Sequence, residues 1–183
     1  DGAEFRLFDL PNLKLSLSGN GSLPSSDNNP ERVGMKKLDS TVELGPSLEY
    51  RLRNRYTSSV WLELPLRASI TLTSDLDYVG LTMHPRIAWR KPAHFKYDWK
   101  LRVAAGPVYS DKDYQGYYYN VSNSEVTPTR AAYSAQQGYS GFRSDFTFSR
   151  RIEKFWLGGF IRHDLISSSV ESSPLVTDTT NLT

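Results

Sequence analysis

Cysteine is absent from the 183 residues, which excludes disulfides and thiolate metal sites and leaves the compartment open. No apolar run approaches the roughly 20 residues a membrane helix needs. Mean hydropathy is −0.50, so a spanning helix is excluded. Neither charge sign is in large surplus: 22 Lys and Arg stand against 20 Asp and Glu, a net +2. That balance gives no reason to expect a nucleic-acid partner. No signal peptide opens the chain, which starts at Asp1-Gly-Ala-Glu-Phe5 and stops at Asn181-Leu-Thr183. These ends read as those of a mature or trimmed fragment. Helix-period patterns are also scarce.

What is present is alternation. From Val42 to Leu52 every second residue is apolar, with Glu43, Gly45, Ser47, Glu49 and Arg51 between them. A period of two is a strand with two unlike faces. The same pattern recurs over 13–17, 60–72, 81–89, 95–109 and 142–148, and more loosely over 155–166. With a short piece at 3–7, this predicts about eight strands. The connections 8–12, 53–59, 91–94 and 150–154 are short, whereas 19–39, 73–80 and 110–138 are mostly longer and rich in Gly, Ser, Asn and Pro. Outer-membrane barrels alternate in this way, with short periplasmic turns and long outer loops. On the apolar parity, Tyr50, Trp89, Phe95, Tyr97, Trp99, Phe148 and Phe155 gather near the short-turn ends, where amphipathic rings suit a membrane interface.

The expected fold class is therefore all-β, an antiparallel up-and-down transmembrane β-barrel of the outer-membrane type. Residues 1–183 read as one barrel domain. Apolar side chains should face outer-membrane lipid. Glu43, Glu49, Arg51, Glu63, Arg67, His84, Arg86, Arg90, Lys96, Asp98, Lys100, Arg102, Arg143, Asp145, Arg162 and Asp164 should then face the lumen. Facing hydrocarbon, such a charge would cost about 2–4 kcal/mol at mid-depth. Pro46, Pro65, Pro85 and Pro107 run against the pattern, because each removes a ladder bond. They read as bulges or strand ends.

Several segments together resemble the MipA/OmpV family of Gram-negative outer-membrane proteins. They are Arg32-Val-Gly-Met-Lys-Lys-Leu38, Glu43-Leu-Gly-Pro-Ser-Leu48, Ala105-Gly-Pro-Val-Tyr109, Tyr117-Tyr-Tyr-Asn-Val-Ser122, Arg130-Ala-Ala-Tyr133 with Gly138, and Ser173-Pro-Leu-Val176. The resemblance is nearer the OmpV branch. It implies strands before Asp1 and one after Thr183, for an even total of 10–12. It also implies a non-enzymatic scaffold that links a lytic transglycosylase to a peptidoglycan synthase, with no catalytic residues and no cofactor. Alternatives are a porin-like channel for small solutes, or a surface adhesin or immunogenic protein. A soluble ligand-binding barrel with its apolar face inward is a further alternative.

For the scaffold, the contact residues expected in the periplasmic turns are Arg53, Arg55, Arg150, Arg151 and Lys154. No metal site is expected: the histidines are scattered, and Asp111 and Asp113 lack the glycine and distal Glu of an EF-hand loop, which leaves them in an exposed loop. No Gly-x-Ser-x-Gly and no phosphate loop is present. Tyr117–Tyr119 reads as a cap on the outer rim or as a contact surface. The inward charges fit a plug and a narrow passage equally well.

Overall fold

Ten strands run up and down through a computed structural model that describes residues 3–22, 30–93 and 99–182. They are β1 (Ala3–Asp9), β2 (Leu13–Ser22), β3 (Thr41–Asn54), β4 (Ser59–Thr71), β5 (Tyr78–Met83), β6 (Arg86–Lys91), β7 (Lys100–Ser110), β8 (Gly138–Ile152), β9 (Phe155–Ile166) and β10 (Thr180–Leu182). All pairings are antiparallel and follow chain order in one sheet. β5 and β6 occupy a single place between β4 and β7: β5 pairs with Leu66–Ile70 of β4, and β6 with Ser59–Glu63. The stretch 81–89, read from the sequence as one strand, is thus two halves parted at His84 and Pro85. β10 adds a strand beyond the expected eight.

At about 3.3 Å per residue, the 14 residues of β3 reach about 46 Å. A tilt of about 40° still leaves enough to cross a hydrocarbon core of about 30 Å. No helix among the described residues is long and apolar enough to span a membrane.

Burial is inverted relative to a water-soluble sheet. Along β4, Trp61, Glu63, Pro65, Arg67, Ser69 and Thr71 are buried, while their apolar neighbours are partly or well exposed. Glu63 is 1% exposed and Ser69 0%, against 43% for Leu66 and 48% for Leu44. The sheet wraps its polar face inward and turns its apolar face out, an arrangement that suits lipid outside. Both rims carry outward rings. Tyr50, Trp89 and Phe155 lie toward the short turns; Tyr78, Tyr109 and Tyr139 lie toward the long loops, the last two in edge contact at 5.9 Å. Trp156 and Phe160 depart from the rule, being exposed on the polar parity. Here β9 has one partner strand among the described residues, since β10 pairs only with His163, Asp164 and Leu165.

The four prolines share one level across neighbouring strands. The β3–β4 pairing lapses between Leu44↔Ala68 and Ser47↔Pro65, which brackets Pro46. Pro65 accepts the His84 N–H at 3.2 Å, beside the β5–β6 break that holds Pro85. β7 crosses that break at Gly106 and Pro107, where a Cβ on Gly106 would lie 2.0 Å from the Pro85 carbonyl oxygen. Grouping the residues that lack an N–H leaves few ladder donors or acceptors stranded.

The long-loop rim is folded rather than loose. Helix α1 (Lys112–Tyr119) is capped by Asp111, whose Oδ1 accepts the Tyr114 N–H at 2.8 Å. Its other oxygen accepts the Leu81 N–H at 2.9 Å and the Tyr78 hydroxyl at 3.3 Å, which ties the helix to β5. Gly80 (φ +149°) makes room: a Cβ there would lie 2.3 Å from the Tyr114 nitrogen. Asp111, expected in an exposed loop, is this anchor. Asp111→Ala should cost about 1–2 kcal/mol through the lost cap, and limited proteolysis should then cut within 111–137. Unchanged cleavage would show that the helix is held elsewhere.

Candidate functional site

The inward face of the sheet carries a connected set of charges around Glu63 and a separate Arg143–Asp164 pair. Glu63 sits at its centre on β4. Its Oε2 accepts Arg86 Nε and Arg102 Nη2, both at 2.6 Å, and its Oε1 accepts Arg90 Nη2 at 2.5 Å. Arg90 also grips both oxygens of Glu49, at 3.0 and 2.6 Å. Arg86 reaches on to Asp145, with Nη1 3.7 Å from Oδ2. Asp145 accepts Arg162 Nε at 2.9 Å, and Asp164 accepts Arg143 Nε at 2.5 Å. Several partners sit two strands apart: Glu49 on β3 with Arg90 on β6, and Arg86 on β6 with Asp145 on β8. Concave curvature makes inward side chains converge, so long arginines span a strand between them. Charge-assisted bonds of this length are the strong class.

Below Glu63, toward the short turns, Trp61 is buried among cations. Lys14 Nζ, Arg51 Cζ and Arg90 Cζ lie 5.0, 4.8 and 5.1 Å from its ring, and its indole N–H donates to Ser59 at 2.8 Å. Ala88 and Ala104 pack beside it. Above Glu63, Arg67 donates to Ser18 Oγ at 3.0 Å, and Glu43 accepts the Tyr114 hydroxyl of α1 at 3.3 Å. Between these groups lies a cavity of about 50 Å³.

The long loops interlock over this end. The buried Arg130 guanidinium donates to the carbonyls of Glu31, Val33 and Glu125. Arg32 donates to the Tyr118 carbonyl at 2.9 Å, Tyr117 Oη accepts the Asp39 N–H at 3.0 Å, and Ser173 donates to the Tyr119 carbonyl at 2.8 Å. The N–H and hydroxyl of Ser122 hold the Glu125 carboxyl below the usual carboxylate range. The stability this lends the turn is present above the unfolded-state value and fades as pH falls through the lowered one.

Of the lumen residues expected from the sequence, Glu43, Glu49, Arg51, Glu63, Arg67, His84, Arg86, Arg90, Arg102, Arg143, Asp145, Arg162 and Asp164 are buried or half-buried. Lys100, the first residue of β7, is exposed. Lys96 and Asp98 lie outside the described residues. Of the turn residues, Arg55 and Lys154 lie in turns, Arg53 is the last residue but one of β3, and Arg150 and Arg151 belong to β8; Arg150 stacks 5.6 Å from the Trp99 ring. Among the described residues no group of three His, Asp or Glu side chains is placed to hold a metal ion. Trp61, Asp111, Tyr114, Arg32 and Arg130 had no site role in the sequence reading. Trp61 stood on the charged parity, and Asp111 stood three residues before Tyr114 as a helix cap does; both signals were there to be read.

The family model described as MltA-interacting protein MipA matches residues 1–183. Outer membrane protein Omp26La of Vibrio anguillarum is 25% identical over 182 residues, covering 96% of this chain and 65% of that protein. Outer membrane protein OmpV of Vibrio cholerae serotype O1 is 26% identical over 187 residues, with the same two coverages. The chain thus spans 65% of the length of these curated relatives. No solved structure matches it. A match that runs the whole length of the chain, on a sheet that buries its charges and turns its apolar side outward, makes it a member of the MltA-interacting protein MipA family, in the outer membrane of a Gram-negative bacterium.

Proposed function

We propose that the protein is a non-enzymatic scaffold whose barrel is closed by its own charges and whose work is done at the periplasmic rim. There it would hold a lytic transglycosylase, the class to which the family's description points, and through it a peptidoglycan synthase. The carrying observation is the Glu63 network. It crosses the inner face from β3 to β9 and occupies the level around Glu63 with paired side chains, with cavities of about 50 and 210 Å³ above that level. A carboxylate already gripped by three guanidinium groups is also a poor general base, because its lone pairs are engaged. At the short-turn rim, the exposed Arg53, Arg55, Arg151 and Lys154 offer a basic surface to a partner.

Planar-bilayer recording of the full-length protein should give no steady conductance; stepwise, ohmic openings would favour the porin-like channel. In parallel, the transglycosylase should co-purify with the full-length protein, and neutralising Arg53, Arg55, Arg151 and Lys154 together should abolish its capture. Unchanged capture would remove this rim from the reading. Attachment to host cells that is lost with the long loops would favour the adhesin.

A further inference from the structure

Behind α1 the lumen holds a larger cavity, of about 210 Å³. It lies above the Glu63 network, between the helix and the inward faces of β7, β8 and β9. Gln115, 1% exposed, lines it from the helix. Its Nε2 donates to Ser140 Oγ at 2.6 Å, and Ser140 in turn bonds Ser110 at 2.7 Å. Gln115 Oε1 is buried and accepts no hydrogen bond from the described residues. Turning the amide over would leave its NH2 end unpaired instead. The charged side chains that line the cavity among the described residues are Arg143 and Asp164, and they bond each other at 2.5 Å. Val108 and Ile166 add apolar wall, and Tyr114 and Tyr119 add rings.

From this lining we propose that the cavity behind α1 binds one neutral sugar ring, a free monosaccharide. A buried acceptor left without a donor is costly, so the Gln115 amide calls for a partner. A hydroxyl serves either end of that amide, as donor or as acceptor, whereas an ammonium serves only the carbonyl end. Charge selects further. Arg143 and Asp164 cancel, so the site offers no net charge to a cation or an anion. Asp164 gives Oδ1 to Arg143, and its second oxygen can take another hydroxyl. Water alone would meet Gln115 but would also wet Val108, Ile166 and two tyrosine rings. A sugar carries hydroxyls on its rim and C–H groups on its faces, and so matches both kinds of wall. At about 30 Å³ for each water, the cavity of about 210 Å³ takes roughly seven, the bulk of one hexose and too little for two linked ones. Its place above the Glu63 network makes the site independent of the scaffold reading: a barrel that carries no current can bind a sugar or fail to.

The test uses full-length protein folded in micelles of an amine-oxide detergent, which has no sugar headgroup. The probes are D-glucose, D-galactose, D-mannose and N-acetyl-D-glucosamine, with maltose and glycine betaine as the oversized and the zwitterionic comparison. Saturation-transfer NMR should pick out at least one of the four monosaccharides, and calorimetric titration of that sugar should saturate near one per barrel. Gln115→Met keeps the length of the side chain without its amide and should weaken binding about tenfold or more. Val108→Phe fills the space from β7 with Gln115 intact and should block binding. Heat-modifiable migration shows which variants have folded, and either one alone suffices for the reading. Arg6→Gln, on β1, should leave the affinity unchanged. No saturable binding of any of the four, wild-type affinity in the folded cavity variants, or equally tight binding of maltose or glycine betaine would overturn the proposal.

Discussion

Glu63→Ala should lower the unfolding free energy by about 3–5 kcal/mol, the largest single-residue loss expected in this protein. The carboxylate is 1% exposed and holds Arg86, Arg90 and Arg102 at once. Removing one partner of a buried ion pair leaves the other charge uncompensated, and here three are left. Each has a different recourse. Arg90 keeps Glu49, and Arg86 keeps a longer contact to Asp145 at 3.7 Å, whereas among the described residues Glu63 is the one carboxylate that Arg102 contacts. The double variant Glu63→Ala/Arg102→Leu should therefore recover part of the loss, and Glu63→Gln, which keeps the shape without the charge, should recover little. Arg6→Ala is the contrast. Its bonds to Glu4 and Asp9 join side chains 40% exposed or more, so it should cost about 0–1 kcal/mol. Urea unfolding in lipid vesicles, followed by tryptophan fluorescence, reads both. A Glu63→Ala loss below that of Arg6→Ala would mean that water reaches the network and that the interior is open.

The inside-outside division was legible because it rests on period two alone. Val42, Leu44, Leu48 and Leu52 alternate with Glu43, Ser47 and Arg51 over a strand long enough to cross a bilayer, and parity needs no tertiary knowledge. What was not legible depends on approach between distant residues. Glu63 and Arg102 are 39 positions apart; local pattern puts both inside but does not make them partners. The break in 81–89 lies at His84 and Pro85, with His84 bonded to Pro65 of β4 and Pro85 packed on Gly106 of β7, and the sequence marks only the proline itself. The long loops looked like solvated polar chain because their composition is that of turns. Arg32 and Arg130 fix them through backbone carbonyls, which carry no side-chain signature. Both arginines fall in segments that carried the family resemblance, so that likeness held information about loop packing which periodicity could not supply.

The second large effect separates lipid from water as the outer environment. Leu66 and Arg67 are neighbours near the middle of β4, 43% and 7% exposed, on opposite faces. If the outer face meets hydrocarbon, Leu66→Arg places a charge near mid-depth and should cost about 2–4 kcal/mol. On a sheet face in water the same change would fall within about 0.5 kcal/mol. Leu72→Arg, just past the end of β4 at the long-loop rim, should cost no more than about 1 kcal/mol, because the penalty falls toward the interface. The gradient is more telling than either value, since the same side chain is exchanged at both positions while the depth differs. Folding into vesicles and urea midpoints measure it. Equal, small losses at Leu66 and Leu72 would remove the lipid from the apolar face; a steep fall from the centre of β4 to its end requires a hydrocarbon slab around the sheet.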